Sequence, residues 1–132
     1  MADAVGIQKV FNGTKRAVYK LTNLSDGTGE SAVVKVDVSA DYTDPHFGTP
    51  SEVSITRIKY DVKDMIVELL WDATTDVVAA VLSGNGDIDA EAYGGMVNNA
   101  GTGKTGDLLL TTLGAGSGSS YNIELELRRK YT

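Results

Sequence analysis

The chain contains no cysteine. That excludes a disulfide framework, a thiol nucleophile and any thiolate-held metal. Histidine occurs once, as His46, so zinc sites built on several histidines are excluded too. Cationic residues are outnumbered 12 to 18, giving a formal net charge of −6. A nucleic-acid module would usually carry a basic stripe, so no nucleic-acid partner is expected. No apolar run approaches the roughly 18 residues a membrane helix needs, so no membrane partner is expected. The opening MADAVGIQKVFNG lacks the cationic and long apolar regions of a secretory leader. Proline is found only at Pro45 and Pro50, within one segment.

What is plentiful is glycine, 15 residues in 132, set between short runs of β-branched and aromatic residues. Such spacing suits many short strands with tight turns. The length fits one domain, residues 1–132, able to bury roughly two-thirds of its unfolded surface. Residues 1–13 are ambiguous between an edge strand and an N-terminal arm that orders against a neighbour.

The chain is organised around residues 51–83, SEVSITRIKYDVKDMIVELLWDATTDVVAAVLS. Three strands are expected there. In 52–62, Val53, Ile55 and Arg57 alternate against Ser54, Thr56, Ile58, Tyr60 and Val62. Lys63-Asp64 is a polar break. Residues 65–71 put Met65, Val67, Leu69 and Trp71 on one face and Ile66, Glu68 and Leu70 on the other, which marks a central strand. Residues 72–76 form a turn, because Asp and Thr side chains bond nearby backbone groups. Residues 77–82 run apolar until Ser83-Gly84-Asn85-Gly86. A helix over 65–82 is disfavoured by the interruption at 72–76 and by the valines.

Elsewhere, 15–22 places Ala17, Tyr19 and Leu21 inward. Residues 23–30 read as a turn. Residues 31–39 place Ala32, Val34, Val36 and Val38 inward. Residues 107–113 form a strand, and 121–129 place Tyr121, Ile123, Leu125 and Leu127 inward against Asn122, Glu124, Glu126 and Arg128. About eight strands result. The expected class is all-β, a two-sheet antiparallel β-sandwich of jelly-roll or Ig-like kind.

Three features resemble chemistry. Ala100-Gly101-Thr102-Gly103-Lys104-Thr105 suggests a phosphate loop, but Asn98 stands where the first glycine of that fingerprint belongs, and a strand rather than a helix follows. An exposed hairpin loop is expected. Asp87, Asp89 and Glu91 recur at strand period and suggest calcium, but the EF-hand glycine and final glutamate are missing, so a solvated strand face is expected. His46 has no second histidine and no nucleophile elbow beside it. Catalytic, cofactor-binding and metal-binding residues are therefore expected to be none. Trp71 and the Tyr residues could form a sugar-stacking face, but the apolar neighbours of Trp71 favour core packing for it.

Three segments carry a resemblance: Ile58-Lys59-Tyr60-Asp61-Val62, Leu70-Trp71-Asp72-Ala73-Thr74-Thr75-Asp76 and Gly103-Lys104-Thr105-Gly106-Asp107. Over residues 51–130 the chain resembles small virion structural proteins of tailed bacteriophages. The resemblance implies a non-enzymatic capsid decoration, or cement, protein. Its partner would be the major capsid protein, joined by self-association as a dimer or trimer. It would lie on the capsid surface of the virion after synthesis in the host cytoplasm. Other phage components (tail tube, head-completion or fibre-associated domain) and a carbohydrate-binding sandwich are the alternatives. The elements expected to touch the shell are residues 1–13 and the loop 40–50, with Tyr42, His46 and Phe47 as anchors, because aromatic anchors dominate interfaces.

Overall fold

A computed structural model describes residues 4–13, 15–38, 42–43, 45–91, 95–98 and 100–131. They form seven antiparallel strands: β1 (Ala4–Asn12), β2 (Arg16–Asp26), β3 (Val33–Val36), β4 (Glu52–Trp71), β5 (Val77–Asp89), β6 (Leu108–Leu113) and β7 (Ser117–Lys130). All belong to one hydrogen-bonded sheet, ordered β1-β2-β7-β4-β6-β3, with β5 on the other side of β4. The sheet folds over into a nearly closed, barrel-like form. The all-β, antiparallel expectation holds. The strand count is seven among the described residues rather than eight, and the hydrogen bonding joins them in one continuous sheet.

The expected break at Lys63-Asp64 is not a turn. β4 runs 20 residues through it. Its first half pairs with β7, from Glu52↔Lys130 to Lys63↔Ser120, and its second half pairs with β6, from Ile66↔Leu113 to Trp71↔Leu108. β5 follows both halves, with a register shift between Val62↔Gly84 and Val67↔Leu82. Asp64 (φ 61°) and Gly84 (φ 68°) both take left-handed backbone at this corner. One long hairpin is thus bent across the two halves of the sheet, as β-bulges allow. The stop expected at Ser83-Gly84-Asn85-Gly86 is the same corner, and β5 continues to Asp89.

The apolar parity of β4 explains its irregularities. Val53 and Ile55 are buried at odd positions, Ile58 and Val62 at even ones, then Met65, Val67, Leu69 and Trp71 at odd ones again. A strict strand cannot keep all of these on one face. The register shift between Ile55 and Arg57 against β7 makes the first switch, and the Asp64 corner makes the second. Thr56, the extra residue, is satisfied by donating from Oγ1 to the Glu126 carbonyl at 3.0 Å.

The core forms where these faces meet those of β2 and β7. Ala17, Tyr19 and Leu21 face Ile123, Leu125 and Leu127 along paired registers, all within a single buried cluster. Each such large side chain contributes roughly 1.5–3 kcal/mol of burial. Trp71 is 1% exposed and lies in that cluster, as expected. In β3 the alternation is only half right. Val36 and Val38 are buried, Ala32 and Val34 are exposed, and Lys35 is turned inward. The shift in register between Val34 and Val36 against β6 is the cause.

Candidate interaction surface

β1 stands at one edge of the sheet. Its only strand partner among the described residues is β2, in a register running from Ala4↔Leu24 to Asn12↔Ala17. Its other edge offers a row of backbone donors and acceptors, a template for a further strand. The side chains along it are unusually apolar for such a position. Ile7 is 47% and Phe11 55% exposed, with Val5, Val10 and neighbouring Leu24 similarly open. Of the two readings open for residues 1–13, the edge strand is the one adopted over Ala4–Asn12, and residues 1–3 lie outside the described part.

The three expected anchors sit beyond the far end of β1, around the end of β7. Phe47 is 57% exposed and stacks obliquely on Tyr131, with ring centroids 5.5 Å apart. Tyr42 lies under the Arg129 guanidinium, 4.5 Å from the ring centroid, a cation–π contact. His46 is exposed beside Phe47. Most of the loop 40–50 is therefore described, although residues 40, 41 and 44 are not. Sequence reading missed Arg129, which does the positioning. It is buried, donates from Nη1 to the Gly13 carbonyl and from Nη2 to Asn12 Oδ1, and so clasps the β1–β2 turn to the loop. In the sequence it stands as one more charge at the end of an alternating strand, so nothing marked it.

Of the three anchors, Phe47 alone lines a cleft of about 690 Å³, formed with Lys15, Arg16, Arg128, Arg129 and Tyr131. Four cations with two aromatic rings make a local basic site in a chain of net charge −6. Arg16 also holds Glu126 at 3.0 Å. The arrangement can receive an acidic or aromatic side chain of a partner.

The motifs considered for chemistry take structural places. The glycine-rich loop leads into β6, a strand, as expected. It packs on the turn after β4: Thr74 N donates to the Thr102 carbonyl at 3.0 Å, and Thr105 Oγ1 to Asp72 Oδ2 at 2.8 Å. Lys104 reaches Glu52 at 3.4 Å. Two of the three segments that carried the phage resemblance thus touch one another. No cluster of three or more metal-ligating side chains occurs among the described residues. Trp71 is buried, so it takes no part in a sugar-stacking face.

Asp87 and Asp89 do lie on a strand, but Asp87 is engaged. Arg57 donates to it from Nε at 3.0 Å and from Nη2 at 2.5 Å. This hydrogen bonding holds the Asp87 carboxyl below its usual range and raises the Arg57 guanidinium above its own. Because the folded-state value of Asp87 is depressed, the pair stabilises at neutral pH. That contribution is lost as pH falls below the ordinary aspartate value of about 4. Asp87→Asn is therefore expected to lower the melting temperature slightly at pH 7, and the difference is expected to shrink as pH is lowered from about 4 toward about 2. Thermal melts of both proteins across this pH range check this.

Comparison with family models, with curated proteins and with solved structures finds no match for this chain.

Proposed function

We propose that this chain is a non-enzymatic structural protein of a tailed-phage virion, and within that class a capsid decoration, or cement, protein. It binds the outer face of the major capsid protein shell and stabilises it. The observation that carries the reading is the β1 edge: a nine-residue strand whose only strand partner among the described residues is β2, bearing exposed Ile7 and Phe11. A partner strand laid along it gains main-chain hydrogen bonds and apolar burial together. The basic-aromatic cleft offers a second grip at the end of β7. Many copies on a symmetric shell add modest contacts through avidity. In fold terms the bent sheet reads as a two-layered sandwich of jelly-roll or Ig-like kind. β1, β2, β7 and the first half of β4 form one layer, and β3, β6 and the second half of β4 form the other. Self-association into a dimer or trimer would use the same edge. Edge-to-edge strand addition also builds tubes and rings, which keeps tail-tube, head-completion and fibre-associated roles as the second reading.

Ile7→Asp with Phe11→Asp tests the edge. Both positions are already half-exposed, so the melting temperature should move by only a few degrees. Co-sedimentation with shells stripped of this protein should fall at least about tenfold. Undiminished co-sedimentation overturns the docking role of β1.

A further inference from the structure

Four polar side chains converge inside the folded sheet, in line with the apolar core. Lys35 Nζ lies 2.5 Å from Glu30 Oε2, with side chains 0% and 5% exposed. Glu30 Oε1 accepts hydrogen bonds from Asn23 Nδ2 at 2.7 Å and from Tyr121 OH at 2.5 Å. Asn23 and Tyr121 are both buried. Apart from its ion pair, Lys35 Nζ meets no hydrogen-bond acceptor among the described residues.

The local backbone is shaped to bring Glu30 inward. Gly27 (φ 103°), Gly29 (φ 77°) and Ala32 (φ 48°) all take left-handed conformations within six residues. At Gly29 a Cβ would come within 2.8 Å of Thr112 Oγ1, so only glycine fits. Glu30 N donates to that same Oγ1 at 2.8 Å, the Glu30 carbonyl accepts from Thr112 N at 2.9 Å, and Ala32 N donates to Thr111 Oγ1 at 2.9 Å. Ala32 is strained there, and strain of this kind is kept where the surroundings fix it for a purpose.

A buried ion pair alone gains little over well-packed apolar residues. Here one carboxylate holds an amine on one oxygen and a carboxamide on the other. The two nitrogens are separated by no more than about 7.5 Å, the span of a carboxylate with a contact of 2.5 Å at one oxygen and 2.7 Å at the other. An amine, a carboxamide and a proton carrier in a dry interior are the components of amide exchange.

We propose that Lys35 and Asn23 are joined by an intramolecular isopeptide bond, formed in the folded protein with Glu30 as the catalytic proton carrier. A proton passes from Lys35 Nζ to Glu30 Oε2 across their 2.5 Å contact, leaving a neutral amine and a neutral carboxyl. The Nζ lone pair attacks Asn23 Cγ, approaching to about 3–3.5 Å before the bond forms. The new C–N bond pushes the carbonyl electron pair onto Oδ1. A proton from the attached nitrogen reaches Nδ2 through Glu30, the Cγ–Nδ2 bond breaks as the pair on Oδ1 returns, and ammonia leaves. The lysine ammonium, the glutamate anion and the asparagine amide become a secondary amide, ammonia and a neutral Glu30 carboxyl. Atoms and charge balance, nothing is oxidised or reduced, and no charge remains in the core. β2 and β3 stand near opposite ends of the strand order, so the bond would close the barrel-like sheet covalently.

Mass spectrometry of the folded, full-length protein tests this. The intact mass should be lower by one ammonia, about 17 Da. Asn23 and Lys35 lie between the trypsin sites at Lys20 and Arg57. The linked protein should therefore yield a single peptide of residues 21–57, lighter by the same amount and uncut after Lys35. Glu30→Ala and Lys35→Arg should each restore the full mass. A folded wild-type protein of full mass, cut after Lys35, overturns the proposal. So does a loss of about 17 Da that persists in Lys35→Arg, since a succinimide at Asn23 would give that result. Should the variants fail to fold, the wild-type digest decides alone.

Discussion

Trp71→Ala is expected to cost about 3–5 kcal/mol, the range for removing a large aromatic side chain from a packed core. Trp71 is 1% exposed and ends β4 where that strand is flanked on both sides, by Leu108 on β6 and Val77 on β5. Both flanking strands are fixed by their ladders, which limits how far they can close on the space. Against a total of about 5–15 kcal/mol for a domain, such a loss leaves a marginal protein. Trp71→Phe keeps most of the volume and should lose distinctly less. Urea denaturation of the three proteins measures the difference. A cost below about 1 kcal/mol for the alanine variant would mean that Trp71 is not in the core.

Gly106→Ala is the second large effect, and its cause is backbone rather than core. Gly106 has φ 88°, and a Cβ there would sit 2.1 Å from the Ser51 carbonyl oxygen. That oxygen belongs to the chain entering β4, where Ser51 N bonds the Lys130 carbonyl at 2.8 Å, so it cannot move aside freely. Left-handed strain of about 1–2 kcal/mol adds to an overpacking cost of about 1–3 kcal/mol, for a total of about 2–5 kcal/mol. Gly114→Ala separates the two causes. Its φ is 73°, but nothing lies within 4 Å of the added Cβ, so only the strain should register. Equal costs for the two variants would contradict the close approach at Ser51.

These two positions show what the sequence could reveal. Trp71 was legible because it closes an alternating run, and the same period-2 logic correctly placed Tyr19, Leu21, Ile123, Leu125 and Leu127. The class of fold followed from those runs. Continuity through Lys63-Asp64 was not legible. A polar pair between two apolar runs looks the same whether the chain turns back or bends and goes on, and only the parity switch from Val62 to Met65 carried the information. For the same reason β5 seemed to end at Gly84. The Arg129 clasp joins segments more than a hundred residues apart, and the Asn23–Glu30–Lys35 cluster, though local in sequence, is buried only once Tyr121 of β7 packs over it. Their members look like ordinary surface residues until the sheet folds, and Lys35 moreover sits among valines whose register shifts by one. Phe47 of the loop 40–50 was visible as an anchor, yet the cations that complete its cleft come from the start of β2 and the end of β7.

The proposed role predicts a stoichiometry. Quantitative peptide mass spectrometry of purified particles, scaled to the major shell subunit, should count this chain on the order of hundreds of copies per particle, as many-site attachment to a shell requires. A dozen copies or fewer would assign it to a connector or tail, and its absence from particles would contradict the structural role altogether.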